Sequence, residues 1–336
     1  MRADGVFSGG GIKGLAVAGA IKAAEEAGYT DWMDLGGTSA GAIAAMALAV
    51  GYDADGLQEL FSFDFSKLDD RGGPFGLGVI PNYFHHGITH GTALTRWIES
   101  ILEGAPVKNG GRTPRTFSDL EHTLKVVGSD IVHSRMVVLP DDAGGYLDQE
   151  GKPYTAASFP IATAVRISAG YPGFFPPIAL KDAVTGTPGA LVDGGVTSGF
   201  PVFLFDRPDP AYPTWAFRLF GGLPPEQPPV NPFKGLLWPV DLVKDVIDTA
   251  INGLDDFELK TFPERVMGIP TGNVSPLNFS LSQQDKDFLY QSAYEAAKKF
   301  FVAEPSATNR FGANPPVATT AAVPVNPDDR EHGTPL

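Results

Sequence analysis

Apolar and polar positions along the chain alternate with two different periods, one suited to strands and one to helices. Residues 5–20, GVFSGGGIKGLAVAGA, read as a short strand, a run of glycines and the start of a helix. The Ala-rich stretch 15–27 continues that helix and meets Gly28 where a C-cap belongs, and YTDWMDL then holds a short strand at 32–35. GGTSAGAIAAMALAVG predicts a turn leading into a helix that is apolar on every side and must therefore be buried. Residues 53–63 predict another helix, and 64–90 look irregular. From Gly91 onward Leu94, Trp97, Ile98, Ile101 and Leu102 trace the stripe of a helix lying on a core.

Further along, 124–131 (LKVVGSDI) and 134–140 (SRMVVLP) read as strands. AASFPIATAVRIS reads as a helix before the Pro/Gly-rich AGYPGFFPPI, and ALVDGG as a strand ending in a turn. Strands are expected again at 214–220 and 264–270. A last helix from about Ser282 should bury Leu289, Ala293, Ala296 and Phe300. The domain is expected to span 1–305. Residues 306–336 are Pro-rich, poor in large apolar groups and without a period, which predicts a disordered tail. Strands alternating with helices call for a mostly parallel sheet with helices on both faces, binding its ligand at the carboxyl ends of the strands.

Composition narrows the function. With 336 residues, 43% of them hydrophobic, a sizeable core is possible. A net charge of −14 disfavours nucleic acid and any strong pull onto anionic membranes. There is no cysteine, which excludes disulfides and thiolate chemistry. The longest early apolar run, 42–50, falls short of the roughly 20 residues a membrane span needs. A first strand near residue 4 leaves no room for a signal peptide. A cytoplasmic or peripheral-membrane location is expected, with export by a signal-free route left open.

Two glycine-rich stretches carry candidate chemistry. Gly9, Gly11 and Gly14 fit G-x-G-x-x-G, which suits a dinucleotide pyrophosphate or an oxyanion, since both are held by free N–H groups at a helix start. Residues 37–41, Gly-Thr-Ser-Ala-Gly, fit G-x-S-x-G between a strand and a buried helix. There Ser39 is the candidate nucleophile and Ala40 N–H an oxyanion donor. The bland alternative is a helix-capping turn. The only histidine late in the chain, His332, falls in the expected tail, which argues against a Ser-Asp-His triad. A carboxylate acting directly on the serine needs an uncrowded strand end, and LVDGG supplies Asp193.

With Gly9-Gly10-Gly11-Ile12-Lys13-Gly14, Gly37-Thr38-Ser39-Ala40-Gly41 and Asp193-Gly194-Gly195 in that order, the chain resembles the patatin-like phospholipases over about residues 4–205. KVVGSDI, AVRISAGYPGFFPPI and GFPV add to the likeness. The resemblance implies a three-layer α/β/α fold with a mostly parallel central sheet, and a lipid acyl hydrolase of phospholipase A or lysophospholipase type. It implies a Ser39–Asp193 dyad, an acyl-enzyme, and an oxyanion hole from Gly10, Gly11 and Ile12 with Ala40. No cofactor or metal is expected, and the partner is a lipid or phospholipid. Some relatives need calcium or a protein activator; no ligand cluster here argues for either. Two departures stand out. Lys13 replaces a common arginine, its charge expected to hold the loop, and Gly199-Phe200-Pro201 lacks the amide of Asn-x-Pro.

Rival readings are a silent member that binds lipid or protein, and a dinucleotide binder using Asp34, 20 residues after Gly14, on the ribose. His85, His86 and His90 have no carboxylate or thiolate among them, so loop packing or exposure is expected, not metal. Asp130 is read as a structural acid of a turn. Residues 74–84 and 233–239 are apolar loop candidates for a lid or membrane contact, with core packing as the alternative.

Overall fold

The computed structural model describes residues 1–68, 70, 89–106, 111–221, 264–275 and 280–303. The expected tail, the apolar loops 74–84 and 233–239, and His85 and His86 lie outside them. Strands β1 (Arg2–Phe7), β2 (Asp31–Thr38), β3 (Thr123–Asp130), β4 (Arg135–Leu139), β5 (Tyr146–Leu147), β6 (Ile178–Asp182), β7 (Pro188–Asp193), β8 (Thr214–Phe220) and β9 (Val266–Pro270) form one sheet. Its order is β5-β6-β7-β3-β2-β1-β8-β9, with β4 also on β3. The five central strands β3-β2-β1-β8-β9 are parallel, and the antiparallel pairs gather at one edge. Helices α1 (Leu15–Glu26), α2 (Ala40–Ala49), α3 (Ala54–Phe61), α4 (Thr92–Glu103), α5 (Ile161–Ser168) and α6 (Gln283–Ala303) complete the expected α/β/α arrangement.

Most of these elements follow the sequence pattern. Every residue of α2 is buried, as an all-apolar helix requires. In α4 the stripe Leu94, Trp97, Ile98, Ile101 and Leu102 is the buried one. Gly28 takes φ +96 at the end of α1. The larger core packs α1, α2, α4, α5 and α6 with Phe7, Leu35, Val126 and Phe217 of the sheet. A smaller cluster on other sheet residues, Val6, Val127 and Ala216, holds Phe200, Val202, Leu204 and Phe205 from the segment after β7.

Three expectations change. The helix read over 156–168 begins only at Ile161, because Pro160 is its extended N-cap and 155–159 form a turn tied by Thr155 and Ser158. Strand β6 was not anticipated; its IALKD pattern follows two prolines and pairs on both sides, with β5 and β7. In α6 the buried small residue is Ala297, not Ala296, which is half-buried.

The junction at β3 positions everything else. β2 pairs with residues 123–127 of β3, β7 with 128–130, and β4 with 126–130. Since β4 overlaps both others, β2 and β7 share the opposite edge of β3 end to end. Thr38 lies opposite Val127 and Asp193 opposite Gly128, so the ends of two strands distant in sequence meet at neighbouring register positions.

Candidate active site

Ser39 stands at the carboxyl end of β2 and directly before α2. Its φ of 56° and ψ of −123° are unusual for a residue with a side chain and mark a strained, tightly held turn. That turn exists only because its neighbours are small. A Cβ on Gly41 would come within 2.2 Å of the Phe7 carbonyl oxygen, so α2 could not start so close to β1. Gly194 is constrained likewise, 2.2 Å from the Val127 carbonyl oxygen, beside Thr38.

Ser39 Oγ donates to Asp193 Oδ2 at 2.8 Å, and Asp193 Oδ1 accepts from Gly195 N at 2.8 Å. Both oxygens of a carboxyl group that is 2% exposed are thus engaged. Burial raises the Asp193 pKa to about 7, and the two hydrogen bonds oppose that rise without cancelling it. No described histidine hydrogen-bonds with Ser39; His133 instead bonds Asp130 through Nδ1 at 2.8 Å.

Both groups are braced by the end of α5. Ser168 Oγ accepts from Ser39 N at 2.9 Å, and Gly170 O accepts from Asp193 N at 3.1 Å. Ser168 belongs to no recognisable motif. Its one signal is its place in AVRISAGYP, a small polar residue where a helix gives way to glycine and proline.

The glycine loop completes the site. Gly9 N donates to Gly199 O at 2.8 Å, and a Cβ on Gly9 would lie 3.4 Å from Ser39 Cβ, so the loop adjoins the serine. Residues 11–14 form a single tight helical turn before α1, and Gly11 has φ +56. Among the described residues, Gly10, Gly11, Ile12 and Ala40 spend no backbone N–H on another group outside their own helices. N–H groups left over in this way, at helix starts and in a glycine loop, are suited to an anion. Gly14 serves packing: it opens α1 against the Phe61 ring.

The two departures resolve locally. Gly199 meets the glycine loop through its carbonyl, and Thr38 Oγ1 donates to Ser198 O at 2.9 Å, so backbone groups hold the segment where an amide was missed. Lys13 has its pKa lowered by burial, and its ammonium makes no hydrogen bond or ion pair among the described residues. Its backbone N–H to Gly10 O, not its charge, ties the loop.

Other candidates are otherwise occupied. Asp34, inside β2 and not at its end, pairs with Arg207, and the adjacent Asp4 also bonds Arg207. Asp130 accepts from the backbone of Val132 and His133, from His133 Nδ1 and from Tyr146 OH, the structural role expected of it. His90 bonds Asp70 through its backbone N–H, and no group of metal-ligating side chains occurs among the described residues. No described helix is long and apolar enough to cross a membrane.

Comparison with known proteins places the fold and the family. The family model described as patatin-like phospholipase matches residues 5–206, which include every motif above. The uncharacterized protein YqhO of Bacillus subtilis is 34% identical over 293 residues, covering 85% of this chain and 93% of its own. An uncharacterized NTE family protein of Mycobacterium bovis is 29% identical over 197 residues, 58% of this chain but only 27% of that longer protein. Among solved structures, VipD from Legionella pneumophila shares the fold at a TM-score of 0.52 and 16% identity, over 90% of this chain and 67% of its own.

Proposed function

Because the chain belongs to the patatin-like phospholipases, a family of lipid hydrolases, we propose that it cleaves fatty-acyl esters of phospholipids or lysophospholipids through Ser39 and Asp193. The observation that carries this is the 2.8 Å hydrogen bond from Ser39 Oγ to a buried Asp193 whose pKa is raised to about 7. A general base is most effective when its pKa lies near the working pH.

Asp193 Oδ2 takes the hydroxyl proton as Ser39 Oγ attacks the ester carbonyl. The carbonyl oxygen becomes an oxyanion held by the N–H groups of Gly10, Gly11, Ile12 and Ala40. As the tetrahedral species collapses, Asp193 returns the proton to the departing alcohol, leaving an acyl group on Ser39. Water then enters, gives its proton to Asp193 and attacks the acyl carbon; collapse releases the fatty acid and restores Ser39 with its hydrogen. Each oxyanion donor is expected to contribute on the order of a hundredfold in rate. The residues leave no step that requires a metal or cofactor.

Labelling with a fluorophosphonate probe, alongside hydrolysis of a short-chain p-nitrophenyl ester, tests the dyad. Wild type should label and turn over, Ser39→Ala should do neither, and Asp193→Asn should lose turnover by about a thousandfold or more. Full turnover by Ser39→Ala would end this reading and favour a member of the fold that only binds.

A further inference from the structure

The strand register also determines what stands beyond the dyad. Ser39 and Asp193 lie at the level of Val127 and Gly128 of β3. β3 runs on to Asp130, then turns back into β4 at Arg135. β7 descends to Asp193 from Pro188, which lies opposite Lys181 at the upper end of β6. Turns 131–134 and 183–187 therefore both project past the dyad at the carboxyl end of the central strands. At ~3.3 Å per residue, Ile131 stands roughly 10 Å beyond it and the second turn further. The turns touch: Ile131 N donates to Ala190 O at 3.1 Å, and His133 Nε2 lies 3.2 Å from Thr187 Oγ1.

These two turns are unlike the rest of the surface in two respects. Of the nine large hydrophobic side chains exposed among the described residues, three are in these turns, Ile131, Val132 and Val184, the last 90% exposed, and a fourth, Met136, follows on β4. Scattered apolar side chains need no explanation, but a cluster does. Charge is the second respect. The chain has net charge −14, yet neither 131–136 nor 183–190 contains an acid. The flanking Asp130 and Asp182 are turned inward, Asp182 onto Arg135 and the backbone of Val184 and Thr185. Lys181 is exposed, has no ion pair among the described residues, and passes Gly186 with its Cε 3.9 Å from where a Cβ would stand.

We propose that turns 131–134 and 183–187 form the surface by which this protein docks on phospholipid, seating Ile131, Val132 and Val184 at the acyl–headgroup boundary and Lys181 against lipid phosphate. The inference rests on the lipid-hydrolase reading of Ser39 and Asp193. An acidic body is repelled by anionic lipid, so contact requires a local surface that is apolar and free of carboxylates. The turns provide that surface at the carboxyl ends of the strands, where the dyad also stands. The uncommitted lysine and the neighbouring lipid-hydrolase site favour lipid over a protein partner.

The test is co-sedimentation with mixed phosphatidylcholine–phosphatidylglycerol vesicles in a Ser39→Ala background, with and without Val132→Glu and Val184→Glu together. Partition should fall on the order of tenfold or more in the double variant. With Ser39 intact, the same pair of changes should leave kcat/KM on a soluble ester unchanged and reduce hydrolysis of vesicle lipid in proportion to binding. Equal partition overturns the proposal. A second reading does not depend on the charged variant folding. Since the chain has no cysteine, Val184→Cys accepts a single environment-sensitive fluorophore. Its emission should shift to the blue with vesicles, while a label at Glu121→Cys, at the other end of β3, should not; an unshifted Val184 label also overturns the proposal. A wild-type dimer without lipid that the double variant dissolves would assign the turns to a second copy and overturn it as well. Wild type that binds vesicles but hydrolyses neither vesicle lipid nor soluble ester would sink the hydrolase reading and leave the docking surface standing.

Discussion

An aspartate in water titrates near 3.9 and is a weak base for a serine hydroxyl at neutral pH. Asp193 is 2% exposed and apolar surroundings raise its pKa to about 7, close to the ordinary value of an imidazole. In the proposed mechanism, burial supplies the basicity for which histidine-dependent serine hydrolases use an imidazole. The same shift affects stability. The neutral carboxyl is favoured in the fold, so its contribution is fully present below pH ~4 and is lost as pH rises through about 7. The kcat/KM profile should therefore rise with pH through a midpoint near 7. Asp193→Asn, expected to lose activity, should melt at or above the wild-type temperature at pH 8 while differing little at pH 4. A midpoint in the usual carboxylate range would mean that Asp193 is not the base. At this scale the sequence was legible where chemistry is local. Ser39 and Asp193 were found from their small neighbours, while Ser168, which has no motif of its own, was not.

Between elements, the site is held where strand and helix ends meet the loops that follow them. The edge of β3 receives β2 and β7 end to end, and the end of α5 accepts one N–H from each of Ser39 and Asp193. Ser168 is a positioning residue in this scheme. Ser168→Ala would leave the Ser39 N–H without its acceptor, at a cost of about 1–2 kcal/mol. We expect kcat on a soluble ester to fall roughly tenfold with KM nearly unchanged, and Ser168→Thr to recover most of the loss. An unchanged kcat in Ser168→Ala would remove Ser168 from the site. An unbroken apolar run located α2 and a periodic apolar stripe located α4, whereas β6 escaped both signals. Its five residues do alternate, half-buried Ile178 and Leu180 with exposed Ala179 and Lys181, but so short a run directly after two prolines does not stand out from a Pro-rich loop.

Across the whole molecule, Arg207 ties the return segment after β7 to the first two strands, bonding Asp4 and Asp34 from 203 and 173 residues away. Asp4 is fully buried and its pKa is raised to about 6, chiefly by desolvation and then by Asp34, with Arg207 pulling it down. Its contribution to stability is accordingly present below the normal carboxylate range and lost as pH rises through about 6. Arg207→Met removes the countercharge, and Arg207 is partly exposed, so the loss should be about 2 kcal/mol at pH 8 and clearly smaller at pH 5, where Asp4 is protonated. Urea unfolding at the two pH values measures this, and equal losses would rule out the clamp. The amino-acid sequence by itself determined the strand–turn–helix around Ser39, the glycine loop and the Asp-Gly-Gly turn. Each of these depends on residues within a few positions of one another and on the space small side chains leave. Only the tertiary structure decided that Ser39 meets Asp193 across 154 residues, that Asp193 loses its water, and that two apolar turns stand beyond it. Those are matters of register along β3 and of burial, which arise when distant strands pair.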